Sequence, residues 1–150
     1  EDFVFNNSIC YIEGDRGNSF PKEYLWTQCC FEDGSLMLSV AHIPFCGLHF
    51  TGVIGVIHHK GREYRIATYL GARAVAIQDG EAVIRQGSRT LTVRRLEEKG
   101  HLLAAPVAGD MSRLIRESSA CKAYYRLQEK GKTIFEFTSP MAAFEYEYPQ

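Results

Sequence analysis

"GSLMLSVAHIPFCGLHFTGVIGVIHH", residues 34–59, contains no Asp, Glu, Lys or Arg. A charge-free run of this length raises the question of a membrane span, which needs roughly 20 predominantly apolar residues in one helix. Pro44, Gly47, Gly52, Gly55 and four histidines interrupt the run, and its residues favour strands. Two buried strands joined at "PFCG" (44–47) fit the stretch better than a spanning helix. That choice sets the fold class, because the same punctuation continues on both sides.

Turn signals recur at short intervals: "GDRGN" at 14–18, "EDG" at 32–34, and "KG" at 60–61, 99–100 and 130–131. "DG" at 79–80 and "QG" at 86–87 complete the series. The runs between them are rich in Val, Ile, Thr, Tyr and Phe. Strands are predicted over Ser8–Glu13, Glu23–Phe31, Ser35–Ile43, His49–His58, Arg62–Leu70 and Arg73–Asp79. Further strands are predicted over Glu81–Gln86, Arg89–Glu97, Leu102–Ala105, Ala120–Glu129, Lys132–Thr138 and Ala142–Tyr148. Short strands at this spacing point to an all-β protein, an antiparallel sandwich or barrel. One short helix is expected in "GDMSRLIRES" (109–118), with Asp110 as N-cap and Met111, Leu114 and Ile115 on one face. It could plug one end of a barrel.

A chain of 150 residues makes one domain by length, 1–150, with room for a real core. Hydrophobic residues at 45% and charged residues at 23% suit a globular protein and exclude a disordered one. A formal net charge of −1 supplies no global field to attract nucleic acid. The densest basic stretch, Arg89 to Arg95, runs directly into Glu97 and Glu98, as a solvated strand face would. The five cysteines (10, 29, 30, 46, 121) are odd in number and form no CxxC, so neither a disulfide framework nor a zinc site is indicated. Reduced thiols in a cytoplasmic protein are the expectation. The histidines lack ligand spacing, since His58 and His59 point to opposite faces of a strand and His42 and His49 flank a turn. "GKT" at 131–133 is no P-loop, because Arg126 stands where the first glycine is required. Neither a metal nor a cofactor is expected. The chain opens on "DFVF", which reads as a strand already under way, so it is expected to be part of a larger protein.

The chemistry, if there is any, concentrates in "YIEGDRGNSFPKEYLWTQCC" (11–30). A turn holding Glu13, Asp15 and Arg16 precedes a strand on which Tyr24, Trp26, Gln28 and Cys30 share one face. Leu25, Thr27, Cys29 and Phe31 share the other, and both faces are apolar enough to be covered. Ile9, Tyr11 and Glu13 share a face of the preceding segment. Two readings stand side by side. In one the charged turn is a surface hairpin in which Arg16 bonds a carboxylate. In the other a carboxyl packs against Trp26 and Phe20, loses its hydration and serves as an acid or base.

These residues carry a resemblance. "YIEGDRGNSFPKEYLWTQCCF" (11–31) resembles the signature of the tocopherol cyclase family, with a Glu, an Asp-x-Gly turn, a Phe-Pro and a Trp-x-Gln strand. "HIPF" (42–45), "FTGVIGVIHHKGREYRIATYLGA" (50–72) and "LLAAPVAGDMSRLIRESSACKAYYRLQEKGKTIFEF" (102–137) look like later blocks of that family in the same order. Arg16 departs from the plant enzymes, which carry Trp in that turn. The resemblance implies a calycin-like, lipocalin-related β-barrel, corresponding to the C-terminal half of a two-barrel protein. It also implies an intramolecular cyclase, which protonates the alkene of a prenyl tail so that a quinol oxygen closes the ring. No redox cofactor is needed, but a strong acid, dry surroundings, aromatic faces and an apolar channel are. On that basis Glu13 or Asp15 would be the acid. Tyr11, Arg16, Phe20, Tyr24, Trp26, Gln28, Tyr64 and Tyr69 would contact the substrate. The implied partners are an apolar small molecule such as a prenyl quinol, the other half of the same protein, and a membrane surface touched peripherally. A noncatalytic lipocalin-like binder and a half-domain inactive by itself are the competing expectations.

Overall fold

The structure is a computed structural model describing residues 4–14, 17–97 and 100–149. Its strands are β1 (Tyr24–Phe31), β2 (Gly34–Phe45), β3 (Leu48–His59), β4 (Arg62–Ala67) and β5 (Arg73–Gln78). They continue as β6 (Glu81–Gln86), β7 (Arg89–Arg95), β8 (His101–Val107), β9 (Asp110–Glu129) and β10 (Lys132–Tyr146). All pair antiparallel in one sheet of order β4-β3-β2-β1-β10-β9-β7-β6-β5, and β8 pairs with the first half of β9. The charge-free run 34–59 is the β2–β3 hairpin, paired from Gly34↔His59 to Phe45↔Leu48. Among the described residues no helix is long and apolar enough to cross a membrane.

The turn chemistry explains the meander. Cys46–Gly47, Lys60–Gly61, Asp79–Gly80, Ala108–Gly109 and Lys130–Gly131 each join two strands with both residues at positive φ. A two-residue hairpin of that kind follows the natural strand twist. Gly34 is required for a different reason. A Cβ there would lie 2.1 Å from the His58 carbonyl oxygen, where β2 and β3 meet.

The sheet rolls until the edge strand β4 comes beside β6 and the end of β9, but no backbone ladder closes between them. Side chains cross the seam instead. The Gln86 amide donates to the Arg65 carbonyl at 3.0 Å and accepts the Ala67 N–H at 2.9 Å, standing in for a missing strand. Glu129 sits between Arg89 (2.8 Å) and Arg62 (3.7 Å), tying β9 to β7 and β4. Both guanidinium groups stack on Tyr64.

Inside the roll, Leu25, Leu38, Val40, Ile57, Leu91, Val93, Ala123, Leu127 and Phe144 are fully buried and form one continuous cluster. The apolar channel expected within the barrel is therefore occupied by the chain's own side chains. Thr27 and Tyr125 bring polar groups into the interior, with hydroxyl oxygens 2.6 Å apart, and Thr27 also donates to the Ala143 carbonyl at 2.8 Å.

Three local expectations are corrected. Residues 109–118 form no helix: Ala108–Gly109 is a hairpin turn, and β8 supplies β9 with partners from Val107↔Asp110 to His101↔Glu117. A short amphipathic segment adopts whichever structure its tertiary partners complete. Ser8–Glu13 is not a strand, because no neighbouring strand pairs with it. The separate strands expected at 132–138 and 142–148 are one strand, β10, with irregularities around Ser139–Ala142.

Replacing Thr27 by Val strands the Tyr125 hydroxyl in the core and is expected to cost about 1–3 kcal/mol. The double replacement T27V/Y125F should recover most of that loss, as read from urea unfolding.

Candidate functional site

The described residues 11–14 and 17–22 lie beside β1 without regular structure. The second stretch is pinned to the β8–β9 hairpin. Phe20 N–H donates to the Pro106 carbonyl at 3.3 Å and Gly109 N–H to the Asn18 carbonyl at 2.9 Å. Ser19 Oγ accepts the Ala108 N–H at 2.7 Å. Arg113 clamps the end of the segment, donating to the Pro21 and Lys22 carbonyls at 2.6 and 2.7 Å while pairing with Glu147 at 3.1 Å.

Between this segment and the sheet lies a half-open groove of about 410 Å³. Its walls are Tyr11, Phe20, Tyr24 and Trp26, with Glu13 and Glu145 between them. The register explains the space. Tyr24 and Trp26 face Ala41 and Ser39 across the β1–β2 ladder, and beside these short side chains Trp26 stays half-buried while Tyr24 is buried. Phe20 packs edge-on against Tyr24, at a centroid distance of 6.1 Å.

Each carboxylate is held by a phenol. Tyr11 Oη donates to Glu13 Oε2 at 2.6 Å, and Trp26 Nε1 donates to Glu13 Oε1 at 3.5 Å. Tyr24 Oη donates to Glu145 Oε2 at 2.5 Å. Burial first, and the bond to its carboxylate second, raise the Tyr24 phenol far above its ordinary range; the same causes act on Tyr11. Both phenols therefore stay protonated as donors. Glu13 accepts with both oxygens and stands exposed at the rim, so the described residues do not give it the shelter from water anticipated for it.

Of the residues singled out from sequence, Tyr11, Glu13, Phe20, Tyr24 and Trp26 come together here. Asp15 and Arg16 lie outside the described residues. Gln28 shares the outer face but turns its amide to Cys30 Sγ at 3.3 Å. Tyr64 is buried in the core at the seam, and Tyr69 is 68% exposed in the short 3-10 turn Thr68–Leu70. Glu145 was missed. It pairs opposite Trp26 in the β1–β10 ladder, and the alternation of "FEYEY" (144–148) was the only hint that it faces outward. All five cysteines are free, and no cluster of potential metal ligands occurs among the described residues.

Fold and site together define an all-β protein with a filled, rolled antiparallel sheet and an aromatic–carboxylate groove on its outer surface. No family model, curated protein or solved structure matches the chain.

The tyrosines predict an alkaline limit. Burial lifts Tyr125 far above the ordinary phenol value of 10.0 and pushes Tyr148 up to about 12. Above pH roughly 10 the unfolded chain loses protons that the native state keeps, so stability is present below that pH and falls as pH rises. Absorbance at 295 nm during alkaline titration should show Tyr11, Tyr24 and Tyr125 ionising only as the fold is lost.

Proposed function

We propose that the groove binds the head of a prenylated quinol or related apolar lipid and promotes proton-initiated ring closure, with Glu13 as the acid. The observation that carries this reading is Glu13 held between Tyr11 and Trp26 beside the faces of Phe20 and Tyr24. A carboxyl at an aromatic wall puts a proton source next to π surfaces that stabilise a developing cation. The resemblance of residues 11–31 to the tocopherol cyclase signature names the same residues.

The outer sheet face supplies a path for the tail. Ser39, Ala41, Ile43 and Phe45 alternate outward along β2, opposite Ile54, Gly52, Phe50 and Leu48 of β3. Ile43, Phe50 and Ile54 are solvent-exposed, as are Phe45 (66%) and Leu48 (75%) at the tip. An exposed apolar surface of this kind marks a binding surface. A prenyl chain laid along it would lead from the groove to the hairpin tip. The other half of a two-barrel protein, or a membrane surface, would cover the tail and exclude the water that cyclisation cannot tolerate.

A second reading, an apolar-ligand binder without chemistry, is favoured by Glu13 itself, which is exposed and accepts two hydrogen bonds rather than donating one. One substitution separates the two. Trp26 is the single tryptophan, so its fluorescence reports occupancy of the groove directly. In the cyclase, Glu13→Gln should bind a prenylated quinol within about threefold of the parent yet convert it to the chroman at least about 100-fold more slowly. Tight binding with no conversion in parent and variant alike, in the longest form of the protein that can be prepared, would leave the binder. Ser39→Phe fills the groove floor and should abolish the Trp26 response in either case.

The track has its own test. Phe50→Asp should weaken a ligand with a four-isoprene tail at least about tenfold while leaving one with a single isoprene unit nearly unchanged, because only the long tail reaches β3.

A further inference from the structure

Among the described residues β4, β5 and β8 each lack a ladder partner along one whole side. An open edge is a template for pairing with another chain, and proteins blunt it with charges, bulges or a cover. β4 carries Arg62, Glu63 and Arg65, and the Gln86 amide covers its end. β5 opens on Arg73 and is irregular between Ala74 and Ala76. β8 has no such device over "HLLAA" (101–105), which holds no Asp, Glu, Lys or Arg. Its irregularity comes only after Ala105, where Pro106 follows. His101, Leu102, Leu103 and Ala104 are all solvent-exposed.

The register tells which backbone groups of β8 are free. Arg116 N–H points away from β8, to Glu147 Oε1 at 3.0 Å. Its neighbours in the alternation, Glu117, Ile115 and Arg113, therefore bond β8 through His101, Leu103 and Ala105. Leu102, Ala104 and Pro106 turn their backbone groups to the open side, where the Pro106 carbonyl accepts Phe20 N–H at 3.3 Å. No described backbone group meets those of Leu102 and Ala104. This set is self-complementary. About a two-fold axis at Leu103, Leu102 of each copy exchanges a pair of hydrogen bonds with Ala104 of the other. The two Leu103 side chains then face each other in a non-hydrogen-bonded pair, where side chains approach most closely.

We infer that β8 is the edge through which two copies of this chain pair, antiparallel about Leu103. A second copy fits because it brings an equally short, uncharged edge with the same spacing of donors and acceptors, whereas a charged strand would find no counter-charge along 101–105. Leu102, Leu103 and Ala104 do not line the groove, so the pairing stands or falls apart from the cyclase reading.

Sedimentation velocity of the protein between about 1 and 200 µM reads the pairing, and the parent is expected to pass from monomer to dimer within that range. Leu103→Lys and Leu103→Glu each set like charges opposite one another across the axis, and either variant alone should dimerise at least about tenfold more weakly. Mixed in equal amounts the two should pair again, because each lysine then meets a glutamate. Ala104→Pro removes one edge donor from each copy without touching the β8–β9 ladder, and should weaken pairing by at least about tenfold. A parent that stays monomeric throughout, folded variants that dimerise as the parent does, or Lys and Glu variants that fail to pair on mixing would each overturn the assignment. Circular dichroism reports folding of every variant, and should Ala104→Pro not fold, the mixing experiment decides.

Discussion

Side-chain alternation along β1 ties the core to the groove. The strand lies between β2 and β10 within the sheet, and its odd-numbered side chains, Leu25, Thr27 and Cys29, are completely buried inside the roll. Its even-numbered ones, Tyr24 and Trp26, therefore point outward as a matter of pleat geometry. A slip of one residue would drive Trp26 into a filled interior and expose Leu25, so the core fixes where the groove's aromatic wall stands. The carboxylates follow from the same ladder, because the pairing that sets Glu145 opposite Trp26 also brings it to the Tyr24 phenol.

The charge-free hairpin β2–β3 acquires a physical meaning in this arrangement. One of its faces, with Leu36, Leu38, Val40, Val53 and Ile57, belongs to the core. The other, with Ile43, Phe50 and Ile54, is an exposed apolar surface continuous with the groove. A strand covered by its own core on one side only would ordinarily alternate apolar with charged residues. Here apolar side chains stand on both faces, and those of the outer face at Ile43, Phe45, Leu48, Phe50 and Ile54 are open to solvent.

Two hollows lie where regular pairing gives way. The groove exists because residues 11–14 and 17–22 lie beside β1 without joining the sheet, the latter held by Arg113 and by the turn at Ala108–Gly109. A second hollow, lined by Phe31, Phe135 and Phe137, lies where the β1–β10 ladder has ended and β10 is irregular around Pro140. The seam where β4 meets β6 and β9 is a third departure, and there the Gln86 amide and the Arg62–Glu129–Arg89 cluster complete what the ladder lacks. In each place side chains take over hydrogen bonding that a strand would otherwise provide.

Much of the fold was legible because it is written in short range. A residue with positive φ beside Gly makes a tight hairpin wherever it occurs, and period-two runs between such turns make strands. The antiparallel all-β class and most strand limits followed from that alone. The groove was half legible, since Tyr11, Glu13, Phe20, Tyr24 and Trp26 lie within one stretch of chain. Tertiary pairing decided the rest. "DMSRLIRES" is a strand because β8 lies beside it, and Tyr64 is core because the seam closes over it. Glu145 reaches Tyr24 across 121 positions of sequence. Turn type and face alternation depend on the backbone preferences of a few neighbouring residues, whereas register, and with it every cross-strand neighbour, is set by how distant strands bury their apolar faces together.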